Sequence, residues 1–353
     1  MPGDSKPRIP PPPHPRKRRE PLPSSLPKPP DEEKDAEARV KAIMDSPTYR
    51  IASEDLDFLA GDTVRGLRLH MDYLKPELAL RAQKVERTIV VFGSARICEP
   101  AEARCRVEAA RTALADDPEN AETARRMAVA ERVLDKSCYY EVAREFGRLV
   151  GDANRETADG QMLIVTGGGP GIMEAANRGA FDAKAKTIGL NISLPREQFP
   201  NPYVSPDLAF NFHYFAVRKL HFLQRAMALV AFPGGFGTFD ELFEVLTLTQ
   251  TRKVRPMPIV LVGERYWREA VNMDFLAREG VIDAEDRDLF WYAETAQEIW
   301  DGIQNWKRAS AERYGALGGT SDAEIDRRRR LSNQCRDLVC FDHPVAAHSR
   351  DGR

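Results

Sequence analysis

The stretch Pro233-Gly234-Gly235-Phe236-Gly237-Thr238-Phe239-Asp240-Glu241 stands between a short apolar run, Ala228 to Phe232, and an amphipathic segment, Leu242 to Gln250. That order reads as strand, glycine turn, helix. Glycine permits positive φ and close backbone approach, and the unpaired first-turn amides at the positive end of a helix dipole make such a turn an anion cradle. The ligand expected there is a phosphate. On this reading Glu241 lies in the first helical turn, where a carboxylate repels a phosphate unless it has a chemical task beside it. Glu241 is therefore a catalytic candidate.

A second unit of the same kind lies upstream. Met162 to Thr166 reads as a buried strand, and Gly167-Gly168-Gly169-Pro170-Gly171 opens a helix expected over Ile172 to Phe181. In open parallel sheets such turns line a crevice at the carboxyl ends of the strands, so two of them imply one nucleotide-sized site. Neither loop fits GxGxxG well, and neither ends in the GKS or GKT of a P-loop, which sets aside dinucleotide and NTP readings. A third turn, Gly93-Ser94-Ala95-Arg96, follows the β-branched run Thr88 to Phe92.

Further strands are expected at Thr187 to Asn191, Leu208 to Phe212, Pro258 to Val262 and Leu289 to Tyr292, alternating with helical segments. Such alternation predicts an α/β fold, a Rossmann-like doubly wound parallel sheet with helices on both faces. The Ala/Arg/Glu-rich stretch from about 98 to 158 reads as a helical insertion of two helices, broken near Asp117-Pro118.

Composition sets the outer limits. A chain of 353 residues with 42% apolar content can bury a sizeable core, and a net charge of −2 argues against a surface built throughout for nucleic acid. The five cysteines, Cys98, Cys105, Cys138, Cys335 and Cys340, are odd in number and lack paired CxxC spacing. Neither a disulfide framework nor a metal site is expected, and a reducing cytoplasm fits. The longest apolar run, Ala226 to Phe232, is far short of a membrane span, and the N-terminus has no apolar signal region.

Residues 1–30 hold twelve of the 25 prolines and the basic run Arg16-Lys17-Arg18-Arg19, a composition expected to form a disordered tail. Residues 31–86 read as a helical extension, with one apolar face at Ala36, Val40, Ile43 and Met44 and another from Phe58 through Leu80. Residues 87–306 form the expected catalytic domain. Residues 307–353, with Gly318-Gly319 and Arg327 to Arg330, read as a charged, partly disordered segment.

PGGFGTFDE resembles the PGGxGTxxE motif of the Lonely Guy (LOG) family of nucleoside 5′-monophosphate phosphoribohydrolases, once described as lysine decarboxylases. Arg218-Lys219 resembles that family's Arg-Lys pair, and the resemblance extends over about Thr88 to Asn305. The segment Tyr214 to Lys219 and the sequence Phe239-Asp240-Glu241-Leu242-Phe243-Glu244 look like the longer bacterial branch. Short plant-type members carry Met-His before the Arg-Lys and Met after it, where this chain has Phe215, Ala216 and Phe222. That departure makes AMP the expected substrate, with cytokinin riboside monophosphates as the alternative.

The resemblance implies hydrolysis of an N-glycosidic bond to free base and ribose 5-phosphate, in at least a homodimer. Glu241 and Arg218 are the implied catalytic pair. Glu241 would deprotonate water and stabilise the ribosyl cation, as glycosidase carboxylates do, and the Arg218 guanidinium would hold ribose or phosphate. Gly234, Gly235, Gly237 and Thr238 would bind the 5′-phosphate. Ser94, Arg96, Gly168, Gly169, Gly171, Met173, Glu174 and, more weakly, Lys219 complete the expected substrate site. His213 and His221 sit among aromatics and are read as packing. No cofactor is expected, since no lysine is singled out for a pyridoxal phosphate Schiff base. Two other readings stand beside this one: a non-catalytic nucleotide or molybdenum-cofactor carrier on the same fold, and a nucleic-acid module led by the basic tail.

Overall fold

Seven strands make one parallel sheet in the order β4-β3-β2-β1-β5-β6-β7. They are β1 Arg87–Phe92, β2 Met162–Thr166, β3 Thr187–Ile192, β4 Ala209–Phe212, β5 Ala226–Ala231, β6 Ile259–Val262 and β7 Trp291–Ala293. The computed structural model describes residues 10–14, 33–156, 162–194 and 199–315. The basic run at Arg16 to Arg19, the rest of the proline-rich tail apart from residues 10–14, and everything after residue 315, with Arg327 to Arg330, Cys335 and Cys340, lie outside the described residues.

The chain divides into two compact units, Met1–Arg68 and Leu69–Arg353. In the first, α1 spans Ala36–Met44 and α2 spans Leu56–Ala60, the latter capped by the Asp55 side chain, which accepts the Phe58 amide at 3.0 Å. The helical pattern from Phe58 to Leu80 is not continuous. Gly61 takes extended backbone (φ −60°, ψ 147°) and ends α2, and α3 then runs Arg65–Ala82.

In the second unit the central strands β1, β2, β5 and β6 are short and, for most of their length, buried on both faces, as a parallel sheet under helices requires, whereas the edge strand β4 alternates exposed and buried residues. Register pairs Ile89 with Ile164 on one side and Val90 with Leu229 on the other. Alternation along the strands then sorts the core into two layers. Ile89, Val91, Ile164, Val230 and Val260 pack under α6 (Cys138–Glu156), α7 (Ile172–Asp182) and α12 (Ala296–Gly315). Val90, Phe92, Leu163, Leu229 and Leu261 pack under the end of α3, α8 (Phe215–Gln224), α9 (Phe236–Gln250) and α10 (Glu264–Ala270). The last helix of the set, α11, is Met273–Arg278. β1 lies between β2 and β5, so the order reverses there, and the doubly wound sheet expected from sequence is the one observed.

Two expectations need correcting. The stretch 98–158 holds three helices, not two: α4 Pro100–Asp116, α5 Ala121–Lys136 and α6. The break at Asp117-Pro118 is there, with Asn120 capping α5 by accepting the Glu122 amide at 2.9 Å. The second break is at Ser137, whose hydroxyl donates to the Leu134 carbonyl at 2.7 Å, a competition with the helix ladder that no Gly or Pro announces. The other correction concerns α9. It begins at Phe236, six residues earlier than expected, because Gly235 serves as N-cap and only Pro233-Gly234-Gly235 form the turn. Glu241 therefore sits in the second helical turn, not the first.

Candidate active site

The three glycine turns close on one another at the carboxyl edge of the sheet. The Ser94 amide donates to the Pro233 carbonyl at 3.0 Å, tying the β1 turn to the β5 turn across the switch point. The Ser94 carbonyl accepts the Ile172 amide at 3.1 Å, tying both to the start of α7. Gly93 lets these pieces meet, since a Cβ there would stand 2.5 Å from the Ile172 side chain. Ser94 Oγ accepts the Arg96 amide at 3.1 Å, and the Arg96 side chain is exposed.

At the β5 turn a Cβ on Gly234 would overlap the Thr238 hydroxyl, so that glycine is required by packing, and Tyr266 donates its hydroxyl hydrogen bond to the Gly234 carbonyl. Gly235 and Gly237 face open space. Thr238 is buried, and its amide is spent on the Gly235 carbonyl at 2.9 Å. The Phe236 and Gly237 amides, for which the helix has no carbonyl, stand at the N-terminus of α9, the kind of position where backbone amides can hold an anion.

The second turn is held by a buried polar network that the glycine pattern does not reveal. Gly168 has φ +69° and Gly171 φ +74°, which favour glycine. The Gly168 amide is taken by the Thr166 hydroxyl at 2.9 Å, and its carbonyl accepts from the Asn201 amide at 2.8 Å. Gly169 offers its carbonyl to the Asn201 side chain at 3.0 Å. Asn177 links Thr166 to Asn201. Asparagines without a sequence motif carry no signal, so Asn177 and Asn201 are visible only in three dimensions.

Arg218 reaches over the strand ends from α8. Its Nε donates to the Leu190 carbonyl at 2.8 Å, its guanidinium lies 5.1 Å from the Phe222 ring centre, and a Cβ on Gly167 would stand 2.6 Å from one of its terminal nitrogens. Met173 Sδ lies against the same glycine. Glu174 is placed otherwise: its carboxylate accepts from the Tyr140 hydroxyl at 2.9 Å, beside Arg178, which pairs with Glu99.

Glu241 is only 7% exposed, and among the described residues its carboxylate has neither a hydrogen bond nor an ion pair within 4 Å. Burial pushes its acid up to about 7, against the pull of Lys219 and Arg218. Burial also draws Arg218 below its ordinary value, with Glu241 opposing. The two side chains thus feel each other without pairing, which leaves a half-ionised carboxylate and a guanidinium free to act on a third group near neutral pH. Lys219 turns to α9, where its ammonium binds Asp240 at 2.8 Å and Glu244 at 3.1 Å.

A separate groove of about 580 Å³ lies by β7 and α11, lined in part by Arg268, Asp274, Arg287 and Tyr292. Both of its arginines are ion-paired, Arg287 with Asp274 and Arg268 with Glu264. No helix among the described residues is long and apolar enough to cross a membrane, and no group of three or more metal-ligating side chains occurs among them.

The fold and these turns define a Rossmann-like α/β protein with a glycine turn at a helix N-terminus, a buried carboxylate and a guanidinium at its switch point. A family model described as "Possible lysine decarboxylase" matches residues 173–303. The cytokinin riboside 5′-monophosphate phosphoribohydrolase LOG3 of Arabidopsis thaliana is 27% identical over 175 residues, 48% of this chain and 77% of that protein. LOG4 of the same plant has the same identity and coverage. The resemblance to the LOG family read from PGGFGTFDE and Arg218-Lys219 is thus found again, at low identity, by curated relatives. Among solved structures, the molybdenum cofactor binding protein of Rippkaea orientalis is 22% identical, with a TM-score of 0.34 over 47% of this chain and 86% of that one.

Proposed function

We propose that this protein is a nucleoside 5′-monophosphate phosphoribohydrolase, with AMP as its expected substrate. The observation that carries the reading is Glu241: a buried, unpaired carboxylate one turn inside a helix whose N-terminus is built for an anion. A carboxylate near a phosphate site is costly unless charge develops beside it, and cleavage of an N-glycosidic bond develops positive charge on the ribose.

The 5′-phosphate would rest on the Phe236 and Gly237 amides with the Thr238 hydroxyl beside them, and that remote contact would orient the ribose. Arg218 would hold the ribose or phosphate. Glu241 would take a proton from water as the water oxygen bonds to C1′ and the C1′–N bond breaks. The departing base keeps the bonding electrons and takes up a proton. In AMP the products are adenine and ribose 5-phosphate.

A decarboxylase acting through pyridoxal phosphate would need an uncharged lysine amine. At Lys219 burial works against the charge, but the carboxylates of Asp240 and Glu244 outweigh it and hold the ammonium above its ordinary range. The residues do not fit that group. Cys98, Cys105 and Cys138, all unpaired, suit a cytoplasmic enzyme. At least a homodimer is part of the proposal.

The test is release of free base and ribose 5-phosphate from AMP, GMP, IMP, CMP, UMP and isopentenyl-AMP, with Glu241→Gln alongside. Turnover of AMP that is lost in Glu241→Gln while binding persists supports the reading. Turnover of isopentenyl-AMP alone moves the substrate to cytokinin precursors. Binding without cleavage of any of the six overturns the hydrolase and leaves the nucleotide or molybdenum-cofactor carrier.

A further inference from the structure

Lys219 follows Arg218 on α8, and an ammonium next to a catalytic arginine invites a role on the phosphate. Its surroundings point elsewhere. The side chain is 18% exposed, and its ammonium is ion-paired with Asp240 at 2.8 Å and with Glu244 at 3.1 Å. Those partners are four residues apart on α9, on one face of the helix, and they flank Glu241 at one residue before and three after. One lysine thus joins α8 to the turn of α9 that carries Glu241.

We propose that Lys219 is a positioning residue: its ammonium, gripped by Asp240 and Glu244, holds the Glu241 turn against α8 and fixes the charge of the Glu241 carboxylate without touching substrate. This rests on the hydrolase reading for its use, though not for its test. The charged groups around Glu241 are Lys219 and Arg218 from α8 and Asp240 and Glu244 from its own helix. Two cations favour the ionised carboxylate and two anions oppose it. Arg218 reaches over the strand ends to Leu190, so Lys219 is the cation that also neutralises the two anions. Removing it withdraws an attraction and unmasks two repulsions, and both effects favour protonated Glu241.

The experiment follows the pH dependence of kcat/KM for AMP in wild-type, Lys219→Met, Lys219→Arg and Asp240→Asn proteins. The wild-type acid limb is expected near pH 7. Lys219→Met should move that midpoint up by about one pH unit, because the ammonium is the larger of the two attractions that oppose burial. Lys219→Arg should return it, and Asp240→Asn, at an exposed partner, should move it down. KM on the alkaline plateau should follow the wild type. A KM raised at every pH with the midpoint unmoved would make Lys219 a phosphate ligand and overturn the proposal.

A second readout needs no turnover. The stability difference between proteins carrying Glu241 and Glu241→Gln, followed against pH with Lys219 present or replaced by Met, reports the same titration. If no nucleotide is hydrolysed but this midpoint shifts up in Lys219→Met, the hydrolase reading fails and the positioning role stands. If it does not shift, the positioning role fails whatever the activity.

Discussion

At Glu241 burial of a carboxylate works against stability, and the proposed chemistry rests on the same side chain. Its acid sits near 7 in the folded chain because burial penalises the charged form, against about 4.5 when unfolded. A raised carboxyl contributes its full stability below the unfolded value, and that contribution is lost as pH rises through about 7. Glu241→Gln removes the penalty. Thermal denaturation should find the two proteins equally stable near pH 4, with the variant ahead by up to about 3 kcal/mol well above pH 7. A difference that does not grow with pH would mean the carboxylate is solvated after all. The same residue was legible in sequence as a carboxylate out of place, but its position was not. Helix start depends on which glycine adopts the cap, and in a run of three glycines within five residues the local pattern leaves that choice open.

Among the elements, the pair α6 and α7 shows how closely the layer over the sheet is built. Gly147 on α6 lies against the Ala176 carbonyl, and Gly179 on α7 lies against the Arg144 carbonyl, so a Cβ at either position would meet backbone. Backbone cannot swing aside as a side chain can, so the helices must separate to admit a methyl group. Gly179→Ala should therefore destabilise the protein by about 1–3 kcal/mol or more, an overpacking cost, although alanine is the better helix former. Chemical denaturation measures it, and a neutral or stabilising result would mean that the helices are not in contact there. The site should feel the change as well, since α7 opens on the Gly171 turn. Strand positions were readable at β1, β2 and β6, where a short run rich in β-branched residues is buried on both faces. The α5–α6 boundary was not, because Ser137 breaks the helix through a hydroxyl bond that many mid-helix serines do not make.

For the molecule as a whole, a buried ion pair joins α3 to the sheet. Glu77, nearly inaccessible, binds Arg225 at 2.8 Å and also pairs with Arg81, and Arg225 donates in turn to the Val85 carbonyl at 3.0 Å. Burial works against ionisation of Glu77, but the two guanidiniums prevail and hold its acid below the ordinary range. A depressed carboxyl adds stability above its unfolded value and loses it as pH falls through the folded one. Glu77→Ala leaves the buried Arg225 without its carboxylate, at a cost of about 3–5 kcal/mol at neutral pH that shrinks on acidification. Denaturant titrations at pH 7 and pH 3.5 test this, and an equal cost at both would show that packing, not charge, is what Glu77 supplies.

By itself the sequence determined the doubly wound class, the places of the strands and the two glycine turns, because those follow from local chemistry: buried β-branched runs, glycines that permit φ above zero, and a helix that must begin after them. It also singled out Arg218 and Glu241. Tertiary structure alone decided that Ser94 ties the turns together, that Asn177 and Asn201 lock the second one, and that Lys219 faces Asp240 and Glu244 across two helices. Each of those is a contact between residues distant in the chain, made when the sheet brings its strand ends to one edge, and no local pattern encodes it.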